Sequence, residues 1–223
     1  MHQQISKRII IYFFLFIFLG TVNNFNFSKF YNFKVHEIKV NGLDDIQNLE
    51  ISKKLEILKF NDLFFIDRIV IDKIMSSNNL IEKYFVFKIY PQTLEIKIKK
   101  TDFLANVIKN GVNFFIGSNG NLIETNQTNS NLPFIFGSFD IKEFLNFKNT
   151  IDKSDIEYNK IEKIYFFDSG RWDIKMKEGT LIKLPISKVT KALDFSAKIL
   201  LEKKFSKTTL IDLRIENQVI INE

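Results

Sequence analysis

The pattern of apolar and polar positions changes character once along the chain. Ile9 to Val22 reads IIIYFFLFIFLGTV, uncharged and apolar on nearly every helical face, with Lys7 and Arg8 directly before it. Beyond it the apolar positions become periodic and alternate with charges. A membrane span needs about 20 apolar residues, so this run is short. The uncharged Asn23, Asn24 and Asn26 lengthen it, and Phe25, Phe27, Phe30 and Tyr31 suit the headgroup level as an aromatic belt. A cleaved signal peptide would end in small residues of A-x-A type, and none stand near Gly20 to Ser28. A buried helix apolar all round would need cover on every side. The expectation is an uncleaved anchor over 9–25, with a cytoplasmic tail over 1–8 and the bulk of the chain exported, because the basic residues precede the span.

The periodic part begins near Phe33. His36 to Val40 reads as a strand closed by the Asn41-Gly42 turn signal. Gln47 to Lys59 puts Ile51, Leu55 and Leu58 at helical spacing. Asp67 is placed to cap a second helix with Ile71, Ile74 and Met75 inward. Tyr84 to Tyr90 is aromatic and β-branched, Pro91-Gln92 turns the chain, and Leu94, Ile96 and Ile98 alternate with Glu95, Lys97 and Lys99 as a half-buried strand. The order is β-α-α-β-β over 33–101.

The remainder, 102–223, is richer in strands. Asn113 to Ile116 and Leu122-Ile123 flank Gly117-Ser118-Asn119-Gly120 as a hairpin. Asp140 opens a short helix with Ile141, Phe144 and Leu145 inward. Ile161–Phe167, Arg171–Lys177 and Thr180–Leu184 form a meander. Ser187 is expected to cap a helix with Val189, Leu193, Ala197 and Leu200 on one face. Two strands end the chain, Thr209 to Arg214 and Gln218 to Ile221, the last expected at a sheet edge. The fold class is α+β: an N-terminal transmembrane helix, a β-α-α-β-β domain, then a β-rich domain of antiparallel strands with flanking helices.

Composition narrows the chemistry. The net charge is +6, and the first thirty-two residues supply half of it through Lys7, Arg8 and Lys29 with no acid. The rest is nearly balanced, without the basic patch a nucleic-acid binder shows. The excess therefore fits membrane topology, with some attraction to anionic lipid. There is no cysteine, and histidine occurs only at His2 and His36, which argues against a metal site and thiol chemistry. No Ser-x-x-Lys is present, and the Gly117–Gly120 turn lacks a P-loop lysine. No catalytic residue, cofactor or small-molecule substrate is assigned. Asp212 and Arg214 flank Leu213 and so share a strand face, either as a structural ion pair or as a grip on a partner. The lone Trp172 is expected in the core, with an interface role left open. Val219-Ile220-Ile221 leaves both faces of the last strand apolar, which suits strand addition by a partner.

Several short motifs occur in an ordered series: Ile38-Lys39-Val40-Asn41-Gly42, Leu63-Phe64-Phe65-Ile66-Asp67, Tyr90-Pro91-Gln92-Thr93-Leu94-Glu95-Ile96, Leu132-Pro133 to Gly137, Trp172 to Gly179 followed by Leu184-Pro185, and Ile211-Asp212-Leu213-Arg214. In this order they resemble the FtsQ/DivIB family of bacterial cell-division proteins, with a POTRA domain before an FtsQ-type β domain. Two places depart from it. Asn79-Leu80-Ile81 stands where the family often has Pro-Trp-Val, and Lys100 to Phe103 stands where it often has Glu-Arg-x-Pro. The resemblance implies a non-enzymatic scaffold of the inner membrane, concentrated at the division septum, that binds FtsB- and FtsL-like proteins through its periplasmic part. It implies a partner site at Arg214, Ile215, Val219, Ile220 and Ile221, with Arg171 beside it by family position. It also implies a recruitment surface at Lys83, Val86 and Lys88. The alternatives are a POTRA-bearing chaperone of outer-membrane export and an anchored cell-wall enzyme.

Overall fold

The computed structural model describes residues 7–24, 33–205, 207–216 and 218–222. Part of the expected tail, the end of the expected span at Phe25, and the belt residues Phe27, Phe30 and Tyr31 lie outside them. Helix α1 spans Lys7–Asn24. At 1.5 Å per residue its length is about 27 Å, just short of a hydrocarbon core of about 30 Å. Among the described residues no helix is long and apolar enough to cross a membrane. Every described side chain of α1 is nonetheless exposed, from 44% at Ile17 to 76% at Phe16 among its large apolar residues.

The chain divides into two compact units, Met1–Met75 with Tyr84–Ile98, and Ser76–Lys83 with Lys99–Glu223. In the first, β1 (Glu37–Asn41) is followed by α2 (Asp45–Leu55) and α3 (Arg68–Ser76), then β2 (Ile81–Ile89) and β3 (Thr93–Lys100). The sheet order is β1-β3-β2, and β1 runs parallel to β3. Asp44 caps α2 through the Gln47 amide, and Asp67 accepts from the Ile69 amide at 2.9 Å at the start of α3. Ile51, Leu55, Leu58, Ile71, Met75, Leu94, Ile96 and Ile98 are buried as their spacing predicts, and Ile74 is half-buried. Alternate residues of β3 therefore point at the helices, and Lys97 and Lys99 point to water.

The second unit holds a nine-stranded sheet, order β12-β11-β10-β9-β8-β7-β4-β5-β6. Its strands are β4 (Phe103–Lys109), β5 (Val112–Gly117), β6 (Leu122–Glu124), β7 (Phe134–Phe136), β8 (Ile161–Phe166), β9 (Trp172–Met176), β10 (Leu181–Lys183), β11 (Leu210–Asp212) and β12 (Ile220–Asn222). The sheet is mixed, not antiparallel throughout. β4 with β7, β7 with β8, and β10 with β11 are parallel. A parallel return needs a long crossover. Helix α4 (Ile141–Asp152) provides it between β7 and β8, and α5 (Val189–Leu201) between β10 and β11. Asp140 and Glu143 form a capping box on α4. Ser187 does not cap α5. Lys188 holds that position with a left-handed backbone, φ 58°, and no side-chain cap. The core gathers Phe144, Ile151, Ile164, Trp172, Ile174, Ile182, Leu193 and Ile211. Trp172 is 8% exposed and stacks on Phe147 at 4.7 Å, which settles it as a core residue.

Candidate partner-binding site

Strands β9, β10 and β11 of the second unit bring charges into register. On β10, Lys183 faces Asp173 of β9 on one side and Asp212 of β11 on the other. Each carboxylate also takes an arginine two residues away, which strand alternation puts on the same face. Arg171 Nε donates to Asp173 Oδ1 at 3.1 Å, and its guanidinium carbon lies 4.2 Å from the centre of the Phe167 ring. Arg214 is bound more tightly. Its Nε donates to both oxygens of Asp212 at 2.9 and 3.0 Å, and its Nη2 donates to Oδ2 at 2.6 Å.

The two aspartates respond in opposite directions. Hydrogen bonding from Arg214 is the main cause that holds Asp212 below the ordinary carboxylate value, against a smaller cost of burial. Burial comes first at Asp173 and pushes its carboxyl up, opposed by the Leu184 amide and by Arg171. The ion-pair reading of Asp212 and Arg214 is thus what the geometry shows. The pair leaves Nη1 of Arg214 directed away from Asp212, and that side chain stays 43% exposed.

Beside this charge row lies a groove of about 700 Å³. Its walls are the β10–α5 connection, the first turns of α5, and residues 213–216 and 218–219. Arg171, Arg214, Ile215 and Val219, four of the residues singled out from the sequence, line it together. Lys188 and Lys191 add positive charge, and among the described residues Glu216, ion-paired with Lys188, is the only carboxylate of the lining. Ile186, Phe195 and Ile215 are 67%, 46% and 59% exposed, so the floor and rim offer apolar contact inside a basic border. Ile186 and Phe195 were not expected. Their signal was present: Phe195 lies off the buried face of α5, and Ile186 follows Leu184-Pro185 as an apolar residue with no strand partner.

Ile220 and Ile221 are not part of the groove. They lie on β12, the outermost strand, where Ile221 pairs with Ile211 and Ile220 with Asp212. Gln218 and Val219 precede the strand instead of belonging to it. An outermost strand presents one row of backbone donors and acceptors away from its neighbour. Lys83, Val86 and Lys88 sit elsewhere, on β2, and do not act as one face. Lys83 is on the exposed side with Phe85 and Phe87. Val86 and Lys88 are on the half-buried side. Val86 lines a smaller hollow of about 370 Å³ with Arg68, Asp72 and Tyr84. Lys88 Nζ donates to the Phe64 carbonyl at 2.8 Å. Among the described residues no group of three or more histidine, aspartate or glutamate side chains is placed to hold a metal ion.

Two family models match the chain in succession, meeting near residue 100 where the second unit's main segment begins. The family model for the C-terminal part of the cell division proteins FtsQ/DivIB matches residues 105–214, and the model for the FtsQ-type POTRA domain matches residues 33–100. No curated protein matches the chain. Among solved structures, the chain is similar to the major extracytoplasmic domain of the trans isomer of the cell division protein DivIB from Geobacillus stearothermophilus. That similarity has 16% identity and a TM-score of 0.36, over 46% of this chain and 92% of that one.

Proposed function

The chain belongs to the FtsQ/DivIB family of cell-division proteins, and from that membership we propose that it is a membrane-anchored, non-catalytic scaffold that holds other division proteins through its second unit. The partners are FtsB- and FtsL-like proteins, and the protein is at work at the septum of the inner membrane with 33–101 and 102–223 in the periplasm. The carrying observation is the groove that gathers Arg171, Arg214, Ile215 and Val219 next to the open edge of β12.

An extended partner segment can add to β12 through main-chain bonds while its side chains enter the groove. The border of Arg171, Lys188, Lys191 and Arg214 selects acidic side chains, and Ile186, Phe195 and Ile215 take an apolar or aromatic one. Arg214 keeps its Asp212 bonds in this arrangement and offers Nη1 to a partner carboxylate. On β2, Lys83 is the accessible residue of a separate recruitment surface, and Val86 and Lys88, on the other side of the strand, support it from behind. The anchor is α1. Its exposed apolar side chains from Ile9 to Leu19 have no reason to face water, and a span close to the hydrocarbon thickness inserts with slight local thinning of the bilayer.

The test is capture of an FtsB-like partner from detergent-solubilised membranes. Single alanine changes on β12 leave the backbone available and are expected to do little. Ile220→Pro removes a donor and distorts the edge, and is expected to abolish capture while circular dichroism shows a folded protein. Arg171→Glu is expected to weaken it separately. Undiminished capture by a folded Ile220→Pro protein rules out β12 as the main site.

A further inference from the structure

One end of the first unit is more apolar than a water-facing surface should be. Phe65 is 86% exposed, Ile69 75%, Phe60 65% and Phe64 50%. These residues are fixed there by the backbone. The lead-in at Phe33 to His36 is pinned between two loops. The Leu63 amide donates to the Phe33 carbonyl at 2.7 Å, the Phe60 amide to Val35 at 2.8 Å, and the His36 amide to the Gln92 carbonyl at 2.9 Å. Phe33, Phe64 and Tyr90 then pack ring to ring, with centroids 5.1 to 5.8 Å apart. Phe60 has φ 67°, a left-handed backbone that a bulky side chain adopts only under constraint.

The charges near this cluster are sorted. Glu56 is held by Lys59, Asp62 accepts from the Phe64 amide, and Asp67 accepts from the Ile69 amide, so these acids are committed locally. Two exposed cations lie next to cluster residues along the chain, Lys34 after Phe33 and Arg68 before Ile69. Aromatic rings with basic side chains are the composition that settles at the headgroup level of a bilayer. The connection gives a reason for that surface to be the partner. Residues 25–32 are all that join α1 to Phe33, and such a stretch reaches at most about 32 Å when fully extended.

We infer that the Phe33 end of the first unit, with Phe60, Phe64, Phe65, Ile69 and Tyr90 as its contact, lies on the lipid surface at the membrane in which α1 is anchored. This inference rests on α1 being that anchor. It turns the tether into an orienting contact: the rings enter the headgroup region, Lys34 and Arg68 meet lipid phosphates, and the opposite end of β1, at Asn41 and Gly42, faces away from the bilayer.

The chain has no cysteine, so single thiols can be placed at will. Full-length protein is reconstituted in phosphatidylethanolamine–phosphatidylglycerol vesicles containing doxyl-labelled lipid. A fluorophore is attached at Asn61→Cys beside the cluster, at Phe14→Cys in α1, or at Ile46→Cys near the Asn41 end. Strong quenching at position 14, clear quenching at 61 and little at 46 is the expected result. Phe65→Glu combined with Ile69→Glu, both at highly exposed positions, is expected to remove the quenching at 61 and leave that at 14. Quenching at 14 with position 61 no closer to lipid than position 46 overturns the inference and leaves the anchor standing. So does quenching at 61 that ignores the two glutamates. Silence at both 14 and 61 overturns the anchor and the inference together. Quenching at 61 without 14 overturns the anchor and, with it, the inference, whose lipid contact depends on that tether.

Discussion

At Gly137 the backbone runs at φ 111°, and a Cβ built there meets the Phe166 carbonyl oxygen at 2.3 Å. Gly42 is tighter still, at φ 122° with the Ile98 carbonyl oxygen 1.8 Å from the same position. Both close motifs visible in the sequence, and both need glycine for two independent reasons, the conformation and the space. Gly137→Ala and Gly42→Ala are each expected to destabilise their unit by at least about 1–3 kcal/mol, read as a lowered urea midpoint. The aspartates of the charge row give a second expectation. Asp212 has its folded-state value depressed by Arg214. Its contribution is therefore complete above the unfolded-state value of about 3.9 and is lost as pH falls through the folded-state value. Asp173, raised by burial, works in the opposite sense: its charged form costs stability as pH rises through its folded-state value. Asp212→Asn is expected to lower the urea midpoint at pH 7 and to converge on the parent as the pH is taken toward 3. A gap that stays constant across that range would mean the carboxylate's charge is irrelevant to the pair.

At the scale of elements, β3 makes the clearest case. Ile96 is fully buried and Lys97 beside it is largely exposed, so Ile96→Ala is expected to cost about 2–5 kcal/mol and Lys97→Ala to stay within about 0.5 kcal/mol. Equal losses in thermal unfolding would mean that the face assignment is wrong. That alternation was legible because local spacing alone decides it. So were α2, α3, the β8–β9–β10 meander and the buried face of α5. The hairpin read from Asn113 to Ile123 is β5 with β6, which pair antiparallel, whereas the preceding β4–β5 hairpin was not read. Asn110-Gly111, both at positive φ, is the two-residue turn that pairs Lys109 with Val112. Parallel pairing was not readable from composition. It follows from α4 and α5 acting as crossovers, which a strand-by-strand pattern does not contain. The groove was hidden for a related reason. Its lining comes from 171, from 184–195 and from 213–216 with 218–219, stretches that no local period connects. Arg171, Arg214, Ile215 and Val219 were named, Ile186 and Phe195 were not, and Ser187 was given a cap that the left-handed Lys188 displaces.

The charge asymmetry along the whole chain bears on topology. Half of the net +6 precedes residue 33, and the acids are all beyond it. If α1 is the anchor proposed above, the basic flank of Lys7 and Arg8 before it is expected to retain the amino terminus on the cytoplasmic side and to carry both units across. A reporter that works only outside the cytoplasm, fused after Glu223, is then expected to be active, and one that works only inside is expected to be silent. Because orientation is set by the flanking cations, Lys7→Glu with Arg8→Glu is expected to lower the exported fraction, whereas Lys99→Glu, far from the helix in sequence, is expected to leave it unchanged. The same preparation separates an anchor from a cleaved leader. Intact mass of the membrane-extracted protein is expected to include α1. A mature amino terminus beyond Gly20 together with an active exported reporter would mean that α1 directs export and is then removed. The Phe33 end of the first unit would in that case have no tether to hold it at the bilayer.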